Sequence, residues 1–252
     1  MNRWRALVIG IGSGVPGHLT GDAVEAIRSV EVFLVADKRA ETADLVTMRS
    51  ELCRQVIDHD HYRFVTLPDP ERSKGSYLDD VAQWHRARAR GQAEAIRAEL
   101  PEGGTVGFLV WGDPSLYDST LRQLELVRAE GLALDIRVVP GLSSPSLLAA
   151  AHGIALNGVG RPVHVTTGRR LVTEYDPALG DVVVMLDGGL ACAELTAAYP
   201  DLVVYWGAQL GLADEVVISG RLVEVIEEIR RERDRLRAHR GWVMDTYLLH
   251  GP

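Results

Sequence analysis

Residues 105–122 read TVGFLVWGDPSLYDSTLR. The apolar run 105–111 has the length of a buried strand and is too short for a core helix. It meets Gly112-Asp113-Pro114, a turn, and a helix start follows. The pattern occurs twice more. Residues 7–20, LVIGIGSGVPGHLT, carry a strand at 6–10 into a loop with four glycines and a proline. Residues 138–153, VVPGLSSPSLLAAAHG, carry a strand at 134–139 into Pro-Gly and a Ser-Ser pair before an Ala-rich helix. Loops at the carboxyl ends of parallel strands are where open α/β sheets bind ligands.

Around these loops, strands and helices alternate. Strands are expected at 31–36 and 61–67, and helices at 22–30, 43–57 and 77–100, with Asp22 capping the first of them. This grain predicts an open parallel sheet covered by helices. From 162 onward the strands follow closely, at 162–167, 181–186, 202–207, 215–220 and 242–249. Some connections are too short for helical crossovers, so the second sheet is expected to be mixed or antiparallel. The charged run 221–240 reads as a helix with Val223, Ile226, Ile229 and Leu236 inward and its charges solvated. The expectation is an α/β protein of two domains, 1–117 and 118–252, with the boundary as late as 143 and a ligand cleft between them.

The chain has 252 residues and a net charge of −8, with 46% apolar and 25% charged residues. That acidity argues against nucleic acid or an anionic membrane as partner. No apolar run has the ~18–20 residues of a membrane helix. The opening MNRWRALVIGIG reads as a first core strand rather than a signal peptide, because its apolar run is short and stops at glycines. Cys53 and Cys192 are too far apart to pair as metal ligands by spacing, so no metal site is expected, and two cysteines suit a reducing cytoplasm.

By letter, Gly12-Ser13-Gly14-Val15-Pro16-Gly17 fits a dinucleotide fingerprint, and Asp37 lies where the ribose carboxylate would be. An NAD(P)-dependent oxidoreductase is therefore a competing reading, as is a non-catalytic ligand sensor. The fingerprint needs its helix to start among the glycines. Here Pro16 and Leu19-Thr20 stretch the connection to about Asp22, which argues against that mode.

Taken together, the three loops resemble those of the tetrapyrrole methylases, and the resemblance covers nearly the whole chain. It is carried by Gly10, Gly12, Gly14 and Leu19-Thr20; by Gly112-Asp113-Pro114-Ser115-Leu116-Tyr117; and by Pro140-Gly141-Leu142-Ser143-Ser144. The phrases WGDPSLYDSTLR, DKRAETADLVTMRSELC (37–53), LPDPER (67–72) and WHRARA (84–89) look like the branch that methylates C-1 of precorrin-5 and releases acetate. The resemblance implies S-adenosylmethionine as methyl donor, S-adenosylhomocysteine as product, and a homodimer. Another member of the fold, acting at a different ring carbon or of diphthamide type, stays open.

The resemblance places cofactor contacts at Ser13, Trp111, Gly112, Asp113, Leu116, Ser143 and Ser144. It adds Leu186, at the end of a strand where relatives often have methionine, and Gly207 or Gly211. Ser13 stands where most relatives have proline, and Val15 where an acidic residue usually follows. Methyl transfer from a sulfonium is an in-line displacement, so alignment and exclusion of water do most of the work. Removal of an acyl group wants a base or an oriented water, for which Asp37, Asp113, Tyr117 and His152 are candidates. A precorrin carries many carboxylates, and Lys38, Arg39, Arg122, Arg169 and Arg170, with Arg161 beside them, are the loop-end cations suited to grip them.

Overall fold

The computed structural model describes residues 4–37, 43–70 and 77–251. It divides into two compact units, Met1–Leu142 and Ser143–Pro252.

In the first unit, five strands form one sheet: β1 (Trp4–Gly10), β2 (Val32–Asp37), β3 (Arg63–Pro68), β4 (Gly104–Val110) and β5 (Leu134–Val139), in the order β3-β2-β4-β1-β5. Every pairing is parallel, as expected. Both faces are buried, so β1 is apolar at consecutive positions rather than at alternate ones. Ala6 and Val8 pack with Ala89, Ala93 and Ile96 of α3 (Tyr77–Glu99) and with Leu124 and Val127 of α4 (Thr120–Ala129). Leu7 and Ile9 pack on the other face with Ala23 and Ile27 of α1 (Gly21–Arg28) and Leu52 and Cys53 of α2 (Ala43–Val56). This order sets the ends of β4, β1 and β5 side by side, and with them the three loops.

Between β1 and α1 the chain makes a short 3-10 turn, Pro16–His18, before Thr20 caps α1 by accepting a hydrogen bond from Ala23 N–H at 3.1 Å. The helix thus starts after Gly17 and not among the loop glycines, and its cap is Thr20, with the expected cap Asp22 lying inside the first turn.

The second unit holds β6 (Val163–Thr167), β7 (Asp181–Met185), β8 (Val203–Ala208), β9 (Val216–Arg221) and β10 (Asp245–His250), in the order β6-β7-β10-β8-β9. Only β6 and β7 are parallel; the remaining pairs are antiparallel, so the sheet is mixed. On one face, Leu148 of α5 (Ser144–His152) meets Val183, Leu210 and Leu248. On the other, α7 (Leu222–Arg240) packs Ile226, Ile229 and Leu236 against Val204, Trp206 and Tyr247. Two details depart from the sequence reading. Leu222 rather than Val223 starts the inward stripe of α7, and Arg233 lies in that stripe, buried. Residues Gly168–Glu174, expected as loop, form a short helix, α6.

Candidate active site

The three loops meet through backbone. Ile11 N–H donates to Val110 O at 2.9 Å, and Gly12 and Gly112 exchange N–H···O bonds of 3.2 and 2.8 Å, forming an antiparallel bridge just past the parallel strands. Gly141 sits so close that a Cβ there would lie 2.3 Å from Gly112 O. No side chain fits at that junction, which explains Gly-rich turns at the ends of both strands.

Asp113 ties two of the loops together. Its Oδ2 accepts from Gly141 N–H at 2.8 Å; its Oδ1 accepts from Ser115 N–H at 2.8 Å and from the Ser115 hydroxyl. Burial alone raises its pKa, but the hydrogen bonds from Ser115 and Gly141 outweigh that and hold the carboxyl below its usual range. Both oxygens are engaged in shaping the turn. Tyr117, closing that turn, has φ 51° and is 47% exposed. A tyrosine in the left-handed region is uncommon and marks a loop whose conformation is held by its surroundings.

Trp111 lies against Gly14, where a Cβ would come within 2.4 Å of the indole. Its Nε1–H is buried without a hydrogen-bond partner among the described residues. The Arg49 guanidinium stacks 4.9 Å from the Trp111 ring. Arg49 donates to Leu109 O at 3.2 Å and Leu45 O at 3.1 Å, and no carboxylate among the described residues forms an ion pair with it. Burial brings its pKa down to about 10, with Asp118 pulling the other way. A partly used guanidinium and an unpaired indole N–H thus share one place at the sheet's rim. Arg49 escaped the sequence reading because it sits mid-helix among alternating polar residues.

In the glycine loop, buried Ser13 holds His18: Ser13 Oγ and His18 Nδ1 are 2.8 Å apart. Asp37 ends β2, its backbone paired with Pro68. Lys38 and Arg39 lie outside the described residues. Arg122 is exposed on α4. Leu116 N–H donates to Asp113 O at 3.2 Å, closing the turn between them.

In the second unit, Ser143 caps α5, its Oγ accepting from Ser146 N–H at 3.3 Å, and Ser144 opens the helix. His152, in the last turn, places Nε2 3.0 Å from Trp206 O and packs edge-on against Tyr205. Arg169 and Arg170 lie exposed in α6, and Arg170 pairs with Glu174 through its Nε at 2.7 Å. Leu186 follows β7 with φ 54° and 66% exposure. Gly207, in β8, leaves room for Leu210 and Leu148. Gly211 N–H donates to Glu215 Oε2 at 2.6 Å. Between them Gln209, at φ 53°, is buried with both amide atoms unpartnered among the described residues, a feature no sequence pattern signalled.

Among the described residues no group of histidine, cysteine or acidic side chains is arranged to hold a metal, and no helix is long and apolar enough to cross a membrane.

The family profile for tetrapyrrole (corrin/porphyrin) methylases matches residues 6–226. The chain is 44% identical over 249 residues to the precorrin-6A synthase [deacetylating] of Sinorhizobium sp, covering 97% of this chain and 94% of that protein. Its structure resembles the crystal structure of a cobalamin synthesis related protein (CobF) from Corynebacterium diphtheriae, with a TM-score of 0.85, 36% identity and 98% of each chain covered. It shares its fold with a uroporphyrin-III C-methyl transferase from Thermus thermophilus solved with S-adenyl homocysteine, at a TM-score of 0.60 and 18% identity, covering 98% of this chain and 92% of that one. With the three loops in backbone contact at adjacent strand ends, these matches make the chain a member of the tetrapyrrole (corrin/porphyrin) methylase family.

Proposed function

We propose that the protein is an S-adenosylmethionine-dependent C-methyltransferase that methylates C-1 of precorrin-5, with loss of acetate, in cobalamin biosynthesis. The observation that carries this reading is the convergence of the three Gly- and Ser-rich loops in a chain 44% identical to a precorrin-6A synthase over nearly its whole length. Such a rim suits a sulfonium donor. Backbone N–H and C=O groups hold an adenosine and an amino acid without offering a competing nucleophile, and alignment of the methyl group supplies most of the rate.

In this reading the cofactor contacts are the ones the family resemblance implies: Ser13, Trp111, Gly112, Asp113, Leu116, Ser143, Ser144, Leu186, Gly207 and Gly211. Asp113 acts by fixing its turn. Arg122, Arg169 and Arg170, with Lys38 and Arg39, pair with ring carboxylates, and Arg49 joins them as a cation with donors to spare. The enzyme works as a homodimer in the cytoplasm; the free, buried Cys53 and Cys192 suit a reducing compartment.

Calorimetric titration tests the cofactor. S-adenosylhomocysteine is expected to bind, and NAD or NADP to give no heat up to millimolar concentration, the upper end of common KM values. An isotherm with a nicotinamide nucleotide and none with S-adenosylhomocysteine would overturn the assignment.

A further inference from the structure

The proposed reaction contains a step that methyl transfer does not explain, the removal of a two-carbon acyl group as acetate. Hydrolysis of a carbon–carbon acyl bond needs a base that can take a proton from water. Asp113 has both carboxylate oxygens engaged and its pKa depressed, so it is a poor proton acceptor. His152 donates Nε2–H to Trp206 O and packs its ring on Tyr205, but it stands in the last turn of α5 and not in the glycine loop. His18 differs from both. It stands in the glycine loop, beside the Gly12–Gly112 bridge where the loops meet, and it is partly exposed. Its Nδ1 is engaged by Ser13 Oγ at 2.8 Å, and its Nε2 has no hydrogen bond among the described residues. The loop closes tightly on this residue: Gly12 has φ 57°, and a Cβ on it would lie 2.8 Å from His18 Cβ and 3.0 Å from His18 O.

We infer that His18 is the general base of acyl removal and that Ser13 is its positioning residue. The inference rests on the proposed precorrin reaction. With Nδ1–H donating to Ser13 Oγ, the lone pair stays on Nε2, the nitrogen free to face a water. A histidine base oriented through its other nitrogen is a recurring arrangement. The step balances with water as co-reactant. Nε2 takes a proton as the water oxygen bonds to the acyl carbonyl carbon. The tetrahedral intermediate then collapses, and the bond between the acyl carbon and the ring breaks. Its electron pair enters the conjugated ring, which methyl transfer from the sulfonium has left one positive charge higher. The acyl group leaves as acetic acid, which ionises to acetate, and the imidazolium passes its proton to solvent.

The test measures acetate and S-adenosylhomocysteine in the same reaction with precorrin-5, for wild type, His18→Asn, His18→Gln and His18→Ala. Asparagine can keep a donor toward Ser13 while removing Nε2. A merely structural histidine therefore predicts normal acetate release from His18→Asn, whereas a base predicts a loss of about 10²–10⁴-fold. Melting curves and S-adenosylhomocysteine titration identify the variants that fold, and added imidazole is expected to restore part of the acetate release to His18→Ala. A methylated tetrapyrrole that retains its acyl group, accumulating in His18→Asn, supports the inference. Acetate release at the wild-type rate from His18→Asn, or from His18→Gln, overturns it. Wild-type protein forming no S-adenosylhomocysteine overturns the methyltransferase reading itself, a different failure with a different readout.

Discussion

Among the described residues, Arg233 and Arg49 are both drawn in from bulk water, and they are treated oppositely. In the second unit Arg233 lies 2.8 Å from Asp245 Oδ2, with both side chains under a tenth exposed, in a charge contact rather than a well-aligned hydrogen bond. Its Nη2 donates to Asp187 O at 2.8 Å and its Nη1 to Gly188 O at 3.2 Å. Asp245 also accepts from Trp206 Nε1–H, and Asp187 from Tyr247 and Ala191 N–H. This network anchors the turn that follows β7. In the first unit Arg49 lies beneath Trp111 and donates to two carbonyls, with Asp118 attracting it but no close ion pair among the described residues. Arg233 has its charge met by a buried carboxylate, whereas Arg49 is met by two carbonyls and an indole face, and in the proposed function its remaining donors serve the substrate.

Breaking the closed network gives the largest expected effect. Arg233→Met leaves Asp245 buried and unpaired, and should cost about 3–5 kcal/mol in denaturant unfolding. The double variant Arg233→Met/Asp245→Leu should recover part of the loss, because a buried pair exchanged for apolar groups of similar volume is often neutral. A single variant as stable as wild type would show that the network is slack.

Opening the rim should act on binding instead. Arg49→Met is expected to weaken tetrapyrrole affinity by roughly ten- to a hundredfold, the loss of a charge-assisted contact of ~1.5–3 kcal/mol. S-adenosylhomocysteine affinity should change little, and raised salt should reproduce part of the loss in wild type. Equal weakening of both ligands would move Arg49 from substrate to cofactor.

Gly141→Ala probes the junction itself. The added Cβ meets Gly112 O at 2.3 Å, backbone that cannot rotate away. Overpacking of this kind costs about 1–3 kcal/mol, and here it should also displace two loops and weaken S-adenosylhomocysteine binding. Unaltered binding in the folded variant would separate the junction from the cofactor.

The smallest effect belongs to Asp113. Its folded-state pKa is depressed, so the stability it contributes is present above the unfolded value of ~3.9 and is lost as pH falls through the folded value. Asp113→Asn should therefore be less stable than wild type at neutral pH and converge with it in acid. A stability gap that persists at the lowest pH would assign the turn to packing rather than to the carboxylate.

The fold was largely legible. Apolar runs such as 105–111 and 134–139 on one side of 162, and the close spacing of strands beyond it, separated a parallel sheet from a mixed one. Glycine and proline marked the ends of β1, β4 and β5, so the rim could be located from turn chemistry alone. What escaped were side-chain partnerships set by tertiary approach. His18 meets Ser13 because Gly12 adopts a positive φ, and a letter cannot report a dihedral angle. Arg233 sits on a helix whose charges read as solvated and Arg49 on a helix where nothing singled it out, and only the tertiary packing around them withdraws their guanidinium groups from bulk water. Gln209 combines a left-handed backbone with a buried amide, which propensity would have argued against.

In the proposed function this rim transfers a methyl group to a precorrin. The direct measurement is mass spectrometry of products formed from precorrin-5 and S-adenosylmethionine carrying a deuterated methyl group. The expected result is one labelled methyl on the tetrapyrrole and one unlabelled acetate for each S-adenosylhomocysteine formed. A tetrapyrrole recovered without label, from protein that binds S-adenosylhomocysteine, would contradict it.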